Sequence, residues 1–178
     1  MKETETYKAL KLFGNDVERK AKDNLKRKKK LSSKGLYNSI GYKAKVSKNS
    51  FELDFFMEDY WKYIDYGVKG VGGSKADGSS WKKKRVTNSK FKYRDKRPPT
   101  IAFNGWTIRK GIAPRNASGQ FTSRKGLLHA IATSVYHTGL ETTSFFTQPF
   151  DKEFKQLPEE LINAYSLDVD NFLEFAIK

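Results

Sequence analysis

The chain has no cysteine among its 178 residues. Disulfide staples and thiolate-ligated zinc are thereby excluded, and a reducing compartment is the natural expectation. Histidine is almost as scarce. His129 and His137 stand eight residues apart, which on a helix is about two turns and about 80° of rotation, too far to share a metal. No HExxH pattern occurs. No apolar run is long enough to span a bilayer, and the opening residues MKETETYKAL lack the hydrophobic core of a signal peptide. A soluble intracellular product with no membrane partner is expected, and the sequon Asn116-Ala117-Ser118 then reads as coincidence. Carboxylates are in the minority, and pairs such as Glu58-Asp59 and Glu159-Glu160 are adjacent in sequence. Neighbouring side chains diverge, so these suit a cap and a helix first turn better than a general acid and base. The segment GVKGVGGSK, Gly67 to Lys75, lacks the GK[ST] ending of a phosphate loop and reads as a hinge. No catalytic residue, cofactor or metal is expected.

What the chain has in excess is positive charge, and it is unevenly spread. The formal net charge is +15. From Glu141 onward three lysines face eight acidic residues, a balance of −5 that leaves +20 for everything before it. Such a split suits nucleic acid at the basic end, or copies of one chain meeting head to tail.

The spacing Leu10, Phe13, Val17, Ala21, Leu25 predicts one face of a helix starting near Glu3 to Glu5 and ending in Lys26-Arg27-Lys28-Lys29-Lys30, with Ser32, Ser33 and Gly35 as breakers. From Leu36 the period changes to two: Leu36, Ile40, Tyr42, Ala44 and Val46, then, beyond Ser47-Lys48-Asn49-Ser50, Phe51, Leu53, Phe55 and Met57. An antiparallel hairpin over 36–58 is expected. Two strands alone are marginal in water and need cover. Asp59 is the expected N-cap of a short helix through Trp61 and Ile64, closed by Gly67.

Glycine-rich sequence then leads into nine bases between Lys82 and Arg97, interleaved with Trp81, Phe91 and Tyr93. A flexible arm is expected. Bases among aromatics suit single-stranded nucleic acid, whose bases stack on rings while cations hold phosphates. Phe91 and Tyr93 also alternate as an edge strand would, extending the hairpin sheet. After Pro98-Pro99, Thr100 caps an expected helix through Ile101, Gly105, Ile108 and Ile112, with Trp106 beside it; a plain loop covers 114–119. Ser123 starts a helix carrying Leu127, Leu128, Ile131, Ala132 and Val135, stopped by Gly139. Pro149, Phe150 and Phe154 open another, and Leu161, Tyr165, Val169, Phe172 and Ala176 continue at helical spacing.

The fold class expected is α+β: a small antiparallel sheet built on the hairpin, covered by several helices, with a long basic arm. One domain is expected over 1–178, comprising an N-terminal helix (1–35), the hairpin and short helix (36–67), the arm (68–99) and a helical remainder (100–178).

The segment Tyr60-Trp61-Lys62-Tyr63-Ile64-Asp65-Tyr66-Gly67, following a hairpin that begins LYNSI, resembles the YxxYV(E/D)xG turn of the tail-completion and head-to-tail joining proteins of tailed bacteriophages. Ser144-Phe145-Phe146-Thr147-Gln148-Pro149-Phe150 is similar to the family's return at a "PF" or "FF" helix start. Trp106-Thr107-Ile108-Arg109-Lys110-Gly111-Ile112 resembles a "WI..KGI" segment of larger neck proteins. The long basic arm and the acidic C-terminal helix depart from the pattern. The resemblance implies a non-enzymatic structural component of the virion neck or tail, assembled in the host cytoplasm. It implies a homo-oligomeric ring of about six or twelve copies around the DNA channel, with portal, adaptor or tail proteins as neighbours. Tyr60, Trp61, Ile64 and Gly67 are then the residues expected to organise the subunit core. Lys82, Lys83, Lys84, Arg85, Lys90, Lys92, Arg94 and Arg97 are assigned to partner subunits or the DNA backbone. The rival reading is a monomeric, sequence-nonspecific nucleic-acid-binding protein; a toxin or nuclease would need a carboxylate whose replacement abolishes turnover.

Overall fold

The computed structural model describes residues 4–29, 34–47, 50–116 and 118–177. Its elements in order are α1 (Glu5–Arg27), α2 (Gly35–Ser39), β1 (Gly41–Ser47), β2 (Ser50–Phe56), α3 (Trp61–Asp65), β3 (Val68–Lys69), a 3-10 turn (Thr100–Phe103), α4 (Asn104–Arg109), α5 (Arg124–Thr138), β4 (Gly139–Leu140), α6 (Thr147–Phe154) and α7 (Leu157–Ile177). The fold is α+β, with small antiparallel pairs among helices. The chain divides into two compact units. The first comprises Met1–Leu31, Gly35–Glu58 and Phe145–Lys178; the second is Ser32–Lys34 with Asp59–Ser144. The expectations at Glu3, Lys30, Ser32, Ser33, Lys48, Asn49 and Ala117 lie outside the described residues, as do those for the side chains of Val46, Phe172 and Ala176.

In the first unit, Leu10, Phe13, Val17, Ala21 and Leu25 are all buried along α1, as their spacing requires. Full burial of each larger apolar side chain is worth about 1.5–3 kcal/mol. Phe55 of β2 is the meeting point of the hairpin, α1 and α6. Its ring stands 6.2 Å from Phe13, 5.3 Å from Phe146 and 5.9 Å from Phe150, all edge-on. Such pairs each add about 0.5–1.5 kcal/mol beyond burial. The register sets Tyr42 opposite Phe55 and Ala44 opposite Leu53. The Tyr42 ring lies against Gly14, where a Cβ would come within 2.6 Å of it, so α1 approaches the hairpin at a glycine.

The hairpin is shorter than its alternation predicts. Leu36 and Ile40 are buried, but Gly35–Ser39 is a helical turn: Ser39 Oγ donates to Leu36 O at 3.0 Å and accepts from Glu58 N at 3.0 Å. A four-residue apolar spacing fits a helical turn as well as a strand. Leu53, Phe55 and Met57 are half-buried, while Phe51 is exposed and edge-on to Tyr165 of α7.

α7 is rotated from its expected face. Leu157 and Ala164 are buried, with Leu161 and Asp168 half-buried between and beyond them, whereas Tyr165 and Val169 are exposed. The partner surface explains the rotation. α7 packs on α1, and the Asp168 carboxylate accepts from Glu5 N (2.7 Å), Thr6 N (2.9 Å) and Thr6 Oγ1 (2.8 Å). Those amides have no partner within their own helix, and Thr4 Oγ1 takes only Tyr7 N. Burial works against the carboxylate, but the Thr6 and Glu5 donors outweigh it and hold the Asp168 pKa below its ordinary value. A folded pKa below the unfolded one gives stability that is complete above the unfolded value and is lost as pH falls through the folded value. Asp168→Asn is therefore expected to cost about 1 kcal/mol at neutral pH and to flatten the acid limb of stability below pH 3.8. Chemical denaturation at stepped pH measures both; an unchanged acid limb removes Asp168 from the capping role.

In the second unit β3 and β4 pair antiparallel, Val68 opposite Leu140 and Lys69 opposite Gly139. The expected flexible arm is an extended strap tied at intervals along its length. Trp81 N bonds Gly73 O, Lys84 N bonds Thr138 O, Thr87 N bonds Thr142 Oγ1, and Ser89 Oγ bonds Gly67 O. Its polar groups find partners on residues 67–73, on the end of α5 and on the segment beyond it. Phe91 and Tyr93 do form an edge, but on β3 rather than on the hairpin: Lys69 N bonds Phe91 O at 2.9 Å and Tyr93 N bonds Lys69 O at 3.0 Å.

Asp59 does not cap α3; Tyr60 occupies that position without a side-chain bond. Nor is the 100–112 segment one apolar helix. It stops at Arg109, and Ile101 and Ile108 are exposed, while Thr107 is buried and accepts from Arg124 Nη2 at 3.1 Å. The seam to α5 is polar because Arg124 also reaches Asn104 Oδ1. Across the expected loop Arg115 is bridged to Phe121, and Asn116 Oδ1 accepts from Gln120 N. Ser123 and Gly139 bound α5 as expected.

Candidate functional site

Period two along the strap sorts its residues into two sets. Lys90, Lys92 and Arg94 are exposed, while Phe91 and Tyr93 between them are half-buried. Pairing of Phe91 and Tyr93 with Lys69 holds this stretch extended beside β3. A groove of about 550 Å³ results, floored by Val68 and Leu140. Tyr63 and Phe91, 4.7 Å apart, line it with Tyr93, Pro98 and Pro99. The Tyr136 hydroxyl donates to Arg94 O and pins the strap to α5. Burial pushes the Tyr93 phenol above its ordinary pKa, so it stays protonated.

Lys90, Lys92 and Arg94 are the three predicted bases that the structure brings to this groove. Arg97 turns to α5 instead, with Nη1 3.3 Å from His129 Nε2 and 3.2 Å from Thr133 Oγ1. The stem of Lys83 lies against Gly72, and Lys82, Lys84 and Arg85 are exposed. Among the described residues none of the eight forms an ion pair with a carboxylate. His129 and His137 go separate ways, the latter stacked on Trp81 at 5.1 Å. No group of metal-ligating side chains gathers among the described residues, and none of the described helices is long and apolar enough to cross a membrane.

The expected core motif is only partly internal. Tyr60 is 41% exposed, Trp61 and Ile64 are half-buried, and Gly67 is buried. Asp65, with no exposed surface, is the buried residue of α3 that apolar spacing could not reveal. Also missed were Thr142, Thr143 and Ser144, which close the carbonyl end of α3. Thr143 Oγ1 donates to Ile64 O (2.6 Å), Thr142 Oγ1 to Tyr66 O (2.8 Å), and the amides of Thr143 and Ser144 both bond Asp65 O (3.0 and 2.9 Å). Their signal was a run of hydroxyl residues just before Phe145, which says nothing about a partner so far back in the chain.

Chemically the groove offers cations, ring faces and an apolar floor, with neither carboxylate nor histidine among the described residues lining it. It is equipped to bind an anionic partner with apolar or flat groups. Compared with known proteins, the chain matches no family model, no curated protein and no solved structure.

Proposed function

We propose that this chain is a structural, non-enzymatic component of a tailed-bacteriophage virion. In this reading it is a tail-completion or head-to-tail joining protein that assembles with copies of itself into a ring around the DNA channel. The observation that carries the reading is the closure of the YWKYIDYG turn. The carbonyls of Ile64, Asp65 and Tyr66 receive residues 142–144, the segment that runs directly into Phe145-Phe146. Two of the three motifs on which the resemblance rests therefore meet by hydrogen bonds at one place, where the Ser144 amide that opens the second bonds Asp65 O of the first. Opposite charge on different parts of one chain favours heterologous contacts, which close into rings when the rotation permits. Cations on such a ring can hold a DNA backbone without reading its sequence.

Sedimentation of the purified chain at about 0.3 M salt, where exposed charges are largely screened, with and without portal and tail partners, tests the proposal. A discrete oligomer of uniform copy number is the expected result. A chain that stays monomeric throughout, and whose main activity is an affinity for single-stranded DNA that collapses with salt, is the rival binding protein.

A further inference from the structure

α7 carries two apolar stripes, and among the described residues only one of them is covered. Leu157 and Ala164 lie on the inner stripe. Ile162, Tyr165 and Val169, spaced by three and four, form an outer one with exposures of 67%, 57% and 39%. Phe51 stands beside Tyr165 at 6.4 Å and extends the patch. A surface helix ordinarily turns polar residues outward, and a contiguous exposed apolar patch marks an interaction surface. The surroundings of this patch are acidic: Glu159 and Glu160 occupy the first turn of α7, within the stretch from Glu141 that carries the balance of −5.

The groove in the second unit has the complementary character. Its floor is apolar and its rim carries Lys90, Lys92 and Arg94 with no carboxylate partner among the described residues. We propose that the groove of one copy receives the outer stripe of α7 from a second copy, with Ile162 and Tyr165 as anchors and Glu159 and Glu160 facing the lysine rim. This proposal rests on the ring reading above and names its contact. An amphipathic helix laid in an apolar groove is a recurring recognition mode, with anchors at i, i+3 and i+7. Single-stranded nucleic acid also suits rings and cations, but it leaves the α7 stripe uncovered. A second copy accounts for both surfaces at once. Because donor and acceptor are different faces, a copy that has used one still offers the other to the next neighbour.

The absence of native cysteine makes the test direct. Two full-length variants, Lys92→Cys and Ile162→Cys, are prepared separately and mixed under mild oxidation. A cross-linked dimer is expected from the mixture and not from either alone, since a disulfide tolerates only a short Cα separation. In parallel, a groove variant (Lys90→Glu, Lys92→Glu, Arg94→Glu) and a stripe variant (Ile162→Asp, Tyr165→Asp) are each expected to lose self-association at least tenfold. Mixed, they should form only a two-copy complex, because one intact face remains on each. Circular dichroism matching the parent chain excludes misfolding, and the cross-link stands independently of these charge changes. No dimer from the cysteine mixture, or variants that assemble like the parent, overturns the pairing while leaving the ring reading intact. A parent chain that is monomeric even with neck partners overturns both. Loss of binding to a labelled oligothymidine in the groove variant, with assembly unchanged, assigns the groove to nucleic acid and overturns the pairing.

Discussion

Gly67→Ala is expected to lower the unfolding free energy by about 4 kcal/mol, at the severe end for a single methyl group. Two separate costs combine. Gly67 has φ +73°, a left-handed conformation that costs an L-residue about 1–2 kcal/mol. A Cβ there would also lie 2.5 Å from Leu140 O and 2.7 Å from Thr142 N. Both are backbone atoms and cannot rotate aside, so the 140–144 segment must lift from the end of α3. Gly78→Ala separates the two costs: its φ is +80° but nothing lies within 4 Å, and about 1–2 kcal/mol is expected. Urea titration measures the totals, and amide exchange at Thr143 and Ser144 reports the local opening. Equal losses for the two alanines, with protection at 143 and 144 retained, would show that close approach at Gly67 contributes nothing.

Phe145→Ala is expected to cost about 4 kcal/mol through lost transfer free energy and the cavity left behind. Phe145 has no exposed surface, and among the described residues it is the largest side chain so completely buried. Its carbonyl accepts from Asn24 Nδ2 of α1 at 3.2 Å, which fixes the backbone and limits collapse around the void. Phe154, one helix further on, is 51% exposed though its ring stacks on Phe150; Phe154→Ala should cost about 1 kcal/mol. Denaturant midpoints for the pair decide the matter. Similar losses would mean that Phe145 sits in a site able to close up, and its burial would then be no guide to its contribution.

Individual elements differ sharply in how far they could be read in advance. α1 was legible because five apolar residues at spacings of three and four leave one possible inner face. The hairpin was legible from alternation, except at Leu36 and Ile40, whose spacing serves a helical turn equally well. α7 was ambiguous for the opposite reason, since it has apolar residues on two faces. Choosing between them required the surface of α1, to which Ala164 and Asp168 are fitted. The groove was half legible. Alternation of ring and base over 90–94 is a property of the local chain, whereas its floor, Val68 and Leu140, and its wall, Tyr63, come from segments that only folding brings near.

The sequence by itself determined the α+β class, the inner face of α1, the caps of α5, the alternating strap and the division of charge along the chain. Each depends on residues within a few positions of one another, where backbone geometry dictates which side chains share a face. Only the tertiary structure decided that the strap lies along β3, that residues 142–144 close the carbonyl end of α3, and which side of α7 is left uncovered. Hydrogen-bond donors and apolar faces carry no address in the sequence. Their partners are settled when distant segments compete for the same unsatisfied backbone groups and the same volume.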